Sequence, residues 1–395
     1  MIEAVQIAYA KEEFPTQFAR SLFLAGPTPR SADVQSWRPE ALRILINLGY
    51  DGVVFVPESS TGYKASYADQ VDWEHKALEM SDCILFWIPR NLQVFPGLTT
   101  NVEFGLWAHS GKIVLGAPPE APKMDYLRSL AGKLGIPQAE NLEDALKHSL
   151  QFVGEGAFRS QGECQVPLHI WKTRSFQAWY KAQVEAGNRL DGARVEWVFR
   201  VGPGKSIVYC WALHVSVYVA GENRNKTNEL VISRPDISTL VMYKPEANPL
   251  QTKIVLIREF RSPAATSDGF IWEVPGGSSF TLADPLEIAV EEAHEETGLR
   301  IDAARLNYVG TRQLAGTFSA HKAHVFSVSI TDEELAWLSG QVGIPHGNPA
   351  THPSGERTYV EIRTMEEILA ENLLDWSTIG MVCQALQPAG TPDRM

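Results

Sequence analysis

The chain has 395 residues, 44% of them hydrophobic and 21% charged, with a formal net charge of −12. That length predicts two domains, and that apolar share supports real cores. The acidic balance excludes a general nucleic-acid-binding surface, which would be basic, but leaves phosphorylated small molecules open, because a bound metal brings its own positive charge.

The four cysteines, Cys83, Cys164, Cys210 and Cys383, lie far apart and form no zinc pattern. Free, buried thiols in a reducing cytoplasm are the expectation. No basic stretch followed by an apolar run marks a signal peptide, and no apolar run reaches the roughly 18 residues of a membrane span. A cytoplasmic chain without a membrane partner is expected.

Taken in order, Ala4 to Ala10 reads as an edge strand and Ser21 to Ala25 as a buried strand, apolar throughout. The loop Gly26-Pro27-Thr28-Pro29-Arg30 follows. Trp37 to Leu48 reads as a helix closed by Gly49, Asp51 to Pro57 as a strand, and Tyr67 to Met80 as a helix. Asp82 to Ile88 is the next strand, then comes a helix over Thr99 to His109 and a strand over Lys112 to Leu115. Strands alternating with helices imply right-handed crossovers and a doubly wound parallel sheet. Ligands of such sheets sit at the carboxyl ends of the strands. Here those ends carry the Gly26–Arg30 loop, Glu58, Pro89-Arg90 and the turn from Gly97 to Glu103.

The segments FLAGPTPR, DWEHKALEMSDCILFWIPR and GLTTNVEFGLWAHSGK give residues 20–135 a resemblance to the nucleoside 2-deoxyribosyltransferase-like family. The resemblance implies that Glu103 attacks the anomeric carbon of a sugar and that Glu74, standing where relatives carry an aspartate, protonates the leaving base. It also implies that Gly26, Pro27, Arg30 and Asn101 contact substrate. The chemistry is coherent: two-step glycosidic substitution needs an ionised carboxylate as nucleophile and a second carboxyl as acid. Two family positions differ, a second aspartate being Gly97 here and a strand tyrosine being Phe23. The plainer alternative for Glu103 is a helix N-terminal glutamate favoured by the dipole. For Glu74 it is a solvent-facing helix residue.

Two peripheral helices, Asp125 to Leu134 and Leu142 to Val153, precede a glycine-rich loop at 154–162. That loop marks the expected boundary between domains 1–153 and 163–395. A helix over Ser175 to Ala186 leads into strands at Val195 to Val201, Ser206 to Val219, Glu229 to Ile232, Thr239 to Tyr243, Lys253 to Arg261 and Gly269 to Val274. Asp284 and Pro285 then start a helix that ends at Thr297-Gly298, with Asp284 suited to the N-cap and Gly298 to a left-handed cap. Glu292, Glu295 and Glu296, spaced i, i+3, i+4, share one face of it. Their mutual repulsion costs about 0.2–0.5 kcal/mol per pair. A divalent cation would relieve it, and hard carboxylate ligands favour Mg2+ or Mn2+. Strands at Leu306 to Leu314, Lys322 to Ile330 and Thr358 to Arg363 follow, with a Gly-, Pro- and His-rich stretch over 340–356 that reads as an active-site loop and final helices at Thr364 to Glu371 and Asp375 to Leu386.

The segment from Gly276 to Arg300 resembles a Nudix box, and the strands before it resemble the ADP-ribose pyrophosphatase-like members of that family. An α/β/α sandwich with a mixed sheet is implied for this domain. The resemblance makes Glu292, Glu295 and Glu296 metal ligands, with Glu296 catalytic, and Glu356 an assisting base. It makes Arg258, Arg261 and Glu273 substrate contacts, the arginines meeting phosphates with bidentate bonds; their plainer reading is a pair of strand arginines on a polar face. His346 and His352 are read as surface residues rather than ligands. Two positions depart from the box. Its first glutamate falls on Ala283 and its arginine on Glu291. Together the resemblances imply cleavage or transfer of an N-glycosidic bond and metal-dependent hydrolysis of a nucleoside diphosphate derivative, with ADP-ribose or NAD offering both bonds, in a homodimer or larger homo-oligomer. A Nudix domain that senses a nucleotide without hydrolysing it is the alternative.

Overall fold

The structure is a computed structural model and describes residues 5–29, 34–60, 67–280, 284–347 and 355–387. Arg30, Ala283, His352 and the tail after Gln387 lie outside these residues. The chain divides into two compact units, Met1–Ser233 and Arg234–Met395.

The first unit is built on a parallel six-stranded sheet. Its elements are β1 (Gln6–Tyr9), β2 (Ser21–Ala25), α1 (Arg38–Asn47), β3 (Val53–Val56), α2 (Tyr67–Met80), β4 (Cys83–Trp87), α3 (Leu98–Trp107), β5 (Ile113–Gly116), α4 (Asp125–Leu134), β6 (Gln138–Ala139) and α5 (Leu142–Val153). The spatial order is β1-β3-β2-β4-β5-β6, with every pairing parallel. The chain steps from β2 to β3 on one side and returns to β4 on the other, so the winding reverses between β2 and β4. Alternate residues feed two cores. Leu22, Leu24, Val54 and Leu85 pack with Ala41, Leu45 and Leu146 of α1 and α5. Phe23, Phe55, Ile84 and Phe86 pack with Leu78, Phe104 and Leu127 of α2, α3 and α4. Each such fully buried large side chain contributes about 1.5–3 kcal/mol. This two-sided burial explains why the strands read as unbroken apolar runs.

Asp82 fastens the start of β4. It accepts from Arg159 Nη1 at 2.8 Å and Nη2 at 2.6 Å, and from the Ser21 and Leu168 amides at 2.9 Å each. Both charged side chains are fully buried. This ion pair carries the chain across the glycine-rich loop, and residues 163–233 continue the first compact unit instead of opening the second. They hold α6 (Arg174–Glu185) and a three-stranded antiparallel sheet, β7 (Arg189–Val201), β8 (Ile207–Val219) and β9 (Arg224–Ser233), in the order β9-β8-β7. Its core gathers Val166, Ile170, Phe176, Trp211 and Leu213. β7 begins six residues earlier than its apolar pattern suggests, because its first half interleaves charged residues with Leu190, Gly192 and Ala193 on a half-exposed ribbon and shows no continuous apolar run.

The second unit has a mixed sheet with helices on both faces. Its elements are β10 (Ile237–Lys244), β11 (Lys253–Phe260), β12 (Phe270–Glu273), α7 (Pro285–Thr297), β13 (Asn307–Gln313), β14 (Lys322–Ser329), α8 (Asp332–Ser339), β15 (Thr358–Thr364), α9 (Met365–Glu371) and α10 (Trp376–Ala385). β10 and β14 pair parallel, while β11 pairs antiparallel with β10, β12 and β15. Ala289 and Ala293 of α7 and Leu338 of α8 share one core with Leu240, Val255 and Val360. Ile368 and Val382 share the other with Val241 and Leu256. Helix α8 is not among the elements expected from periodicity, although Thr331 and Glu334 form a reciprocal capping box at its start.

No helix among the described residues is long and apolar enough to cross a membrane. Cys83 and Cys164 are buried free thiols as expected, but Cys383 is exposed.

Candidate functional site

A cavity of about 220 Å³ opens at the carboxyl ends of β2 and β4, where the winding reverses. Phe23, Gly26, Pro27 and Thr28 border it from β2, Arg38 from α1, Gln70 and Glu74 from α2, and Gly97, Thr100 and Glu103 from the start of α3. The sequence-derived pair Glu74 and Glu103 therefore meets in one pocket, with Gly26 and Pro27 in its wall. Asn101 is not in that wall: its amide oxygen accepts from Arg90, whose other arm donates to the Lys123 carbonyl at 2.9 Å. Asn101 fastens the loop after β4 and does not border the cavity.

Local structure explains each placement. Gly26 has φ +149, and a Cβ there would lie 2.1 Å from the Trp87 carbonyl oxygen, so only glycine lets the loop leave β2 this close to β4. Gly97 sits left-handed at φ 61 and turns the chain into α3. Glu103 follows within α3 and borders the cavity at the strand ends.

Arg38 joins the site without being among the residues expected there. Its side chain is 1% exposed and lies in the cavity wall. Nε donates to the Leu24 carbonyl at 3.0 Å, Nη2 to the Gly26 carbonyl at 2.8 Å, and Nη1 to Glu58 at 2.5 Å. The signal available in the sequence was an arginine at a helix N-terminus, where the dipole disfavours a cation.

Burial pushes the Glu103 carboxyl up to about 7, and the charge of Glu74 adds to the rise while Arg38 opposes it. Burial also raises Glu74, against the hydrogen bond it accepts from Gln70 at 2.8 Å and the charge of Arg38. Two carboxyls held out of water in one small pocket are suited to holding a proton between them near neutral pH.

The second unit gathers carboxylates of its own. Asp284 caps α7 by accepting from the Leu286 amide at 2.9 Å, and Gly298 ends the helix at φ 73. Glu296 is 2% exposed and accepts from the Gly276 amide at 2.8 Å. A Cβ on Gly277 would lie 2.5 Å from the Glu292 carboxyl, so the glycine loop lies directly against that side chain. Burial raises Glu292 to about 7, helped by Glu295, Glu356 and Glu291. Burial likewise pushes Glu296 far up.

The carboxylates that converge here are not those expected from helix spacing alone. Glu259, Glu296 and Glu356 bring oxygens within 4.8 Å of one another, a spacing that one cation could bridge. The exposed Glu295 side chain stands outside that trio. Helix spacing fixes which residues share a face but not which distant strand or loop meets that face, and here β11 supplies Glu259. Arg261 lies among the acids, 2.8 Å from Glu259, 3.2 Å from Glu356 and 3.3 Å from Glu273. Arg258 lies elsewhere. Adjacent strand residues point to opposite faces, so with Glu259 turned to the cluster Arg258 turns away. It pairs with Asp268 and lies 4.4 Å from the centre of the Phe270 ring and 5.3 Å from that of Trp272.

No curated protein matches the chain. Residues 19–121 match the family model described as nucleoside 2-deoxyribosyltransferase like, a span that holds β2 through α3 with Gly26, Arg38, Glu74 and Glu103. The chain thus carries a nucleoside 2-deoxyribosyltransferase-like domain at residues 19–121.

Proposed function

We propose that the first unit cleaves or transfers the N-glycosidic bond of a nucleoside or nucleotide, with Glu103 as nucleophile and Glu74 as the acid that protonates the departing base. The observation that carries this reading is the meeting of the two carboxyls in one cavity at the strand ends, inside the family-matched segment. Glu103 attacks the anomeric carbon, the base leaves with the proton from Glu74, and water or a second base then opens the glycosyl ester. Gly26 and Pro27 bound the sugar's side of the pocket, and Arg38 holds that loop in place.

The electrostatics favour one competing assignment. Burial and the charge of Glu74 together lift Glu103 to about 7, which suits Glu103 to the acid's part when no substrate is bound. The two assignments separate by experiment. Under the first, Glu103→Gln abolishes base release and a slow fluorinated substrate leaves a sugar ester on Glu103. Under the second, Glu103→Gln keeps activity on substrates whose leaving base needs no proton, and Glu74→Gln does not.

The second unit, in the same reading, is a Nudix-type domain that hydrolyses a nucleoside diphosphate derivative with Mg2+ or Mn2+. The packing of the Gly276-Gly277 loop against Glu292 and Glu296 supports it, as does the convergence of Glu296 with Glu259 and Glu356. These carboxylates are suited to holding the cation, which would supply Lewis-acid activation of the pyrophosphate. Arg261 holds Glu259, Glu273 and Glu356 in position. The test of the whole reading is incubation of the full chain with a nucleotide panel, ADP-ribose and NAD included, with and without Mg2+, followed by mass analysis. Free base appearing without metal, and a pyrophosphate split appearing only with it, is the expected result. Tight nucleotide binding without any metal-dependent split would make the second unit a sensor.

A further inference from the structure

The first unit holds a second and larger cavity, of about 950 Å³, at the opposite end of its parallel sheet. Its wall runs from Trp107 at the end of α3, past the loop before β5, to the edge strand β7 and Lys205. None of the residues around Glu74 and Glu103 borders it. Two features set it apart from an ordinary crevice. Trp197 and Phe199 project from β7 with 52% and 47% of their surfaces exposed, their rings 5.8 Å apart and 15° from parallel. Elsewhere in the wall are buried nitrogens without hydrogen-bond partners: Trp107 Nε1, both ring nitrogens of His169 and, on the other face of β7, Arg200 Nε.

One carboxylate unpaired among the described residues, Glu79, borders the cavity beside Lys112 and Arg194, and the cations of the wall fall into two groups. Lys112 is spent on the carbonyls of Leu78, Glu79 and Ser81, and Arg194 is paired with Glu196 at 2.6 Å. Arg200 donates to the Gly111 carbonyl at 3.3 Å and faces no carboxylate among the ion pairs of the described residues; neither does the exposed Lys205. In a chain of net charge −12, two unneutralised cations in the wall of a cavity that an exposed aromatic pair also lines favour an anionic ring compound that reaches across the edge of β7. A purely apolar occupant would leave both cations and the orphaned donors without partners.

We propose that this cavity binds a nucleotide, with its base against Trp197 and Phe199 and its phosphates on Arg200 and Lys205, at a site separate from the candidate glycosidic centre. Stacking a base on an aromatic side chain contributes about 1–3 kcal/mol. Phosphate oxygens make charge-assisted bonds to guanidinium and ammonium groups. The ligand's acceptors also relieve buried donors, each of which costs about 1–3 kcal/mol when left unmet. The burial of His169, helped by the charges of Arg200 and Lys112, holds that imidazole neutral, so it adds a donor without adding a cation.

The test follows tryptophan fluorescence of the full chain during titration with ADP. EDTA is present throughout, so that the glutamate cluster of the second unit carries no metal. A saturable quench is expected, with inorganic pyrophosphate competing. Trp197→Ala and Lys205→Glu change exposed residues and should each weaken binding by about tenfold or more, equivalent to 1.4 kcal/mol. Arg200→Met should do the same, with a melting curve to check its fold. Glu103→Gln should bind ADP as the wild type does, whether or not the glycosidic reading of that residue stands. No saturable binding up to about 10 mM ADP would overturn the proposal. Binding that survives Trp197→Ala and Lys205→Glu but fails in Glu103→Gln would place the nucleotide in the other cavity and overturn it as well. So would uptake of an apolar dye or a hydrophobic peptide that ADP does not displace.

Discussion

Glu103 is held at a cost to the fold, and that cost can be measured without knowing the substrate. An acid whose pKa is raised by folding is penalised once it ionises. The penalty is absent below the unfolded value of 4.5, grows as the pH rises, and is complete above the folded value of about 7. A rise from 4.5 to about 7 corresponds to about 3 kcal/mol at 1.36 kcal/mol per pKa step. Partial exposure of the carboxyl lets water screen it, so about 1–2 kcal/mol is the working expectation. Glu103→Gln keeps the shape and removes the charge. It should therefore stabilise the first unit by that amount at pH 8 and by nearly nothing at pH 4.5. Calorimetric melting of wild type and variant at both pH values checks this, since 1 kcal/mol moves the midpoint of a domain of this size by about 2–4 °C. An equal gain at both pH values, or a loss at pH 8, would refute the reasoning, because either result would mean that Glu103 is not ionised against burial.

The rate of base release should rise with pH through an acid limb near 7 that reports ionisation of Glu103; in Glu74→Gln that limb should move to lower pH, and a limb that stays in place would uncouple the two carboxyls. Glu296→Gln should remove metal-dependent pyrophosphate cleavage and leave base release intact, whereas equal loss of both activities would speak against two separate sites. Glu291→Arg restores the residue usual in a Nudix box; a re-formed metal site predicts lower turnover and lower metal affinity together, and a weakened hydrolase predicts turnover about tenfold higher for about 1.4 kcal/mol of better positioning. Arg159→Met strands the fully buried Asp82 carboxylate and should cost about 3–5 kcal/mol, read as a lower melting temperature of the first unit.

The sequence by itself determined what a short stretch of chain encodes. Helix α7 begins at its Asp284 cap and ends at the left-handed Gly298, and the unbroken apolar strands β2 to β5 could only belong to a sheet covered on both faces. The alternation of those strands with helices determined the parallel sheet and the strand ends at which Glu103 stands. Caps and periodicities of this kind act over a few residues, so they survive without tertiary context. Convergence does not. Arg38 lies in the pocket because three carbonyl and carboxylate partners from β2 and from the chain after β3 close around it. Glu259 joins Glu296 and Glu356 because β11 runs beside β15 and under α7. Arg258 turns away from the same cluster because it is one residue earlier on that strand. The compact division falls at Ser233 and not in the loop at 154–162, and the buried bond between Arg159 and Asp82, residues 77 positions apart, ties that loop to the parallel sheet. Which distant groups meet is set by sheet order and by the desolvation of paired charges, and only the tertiary structure decides those.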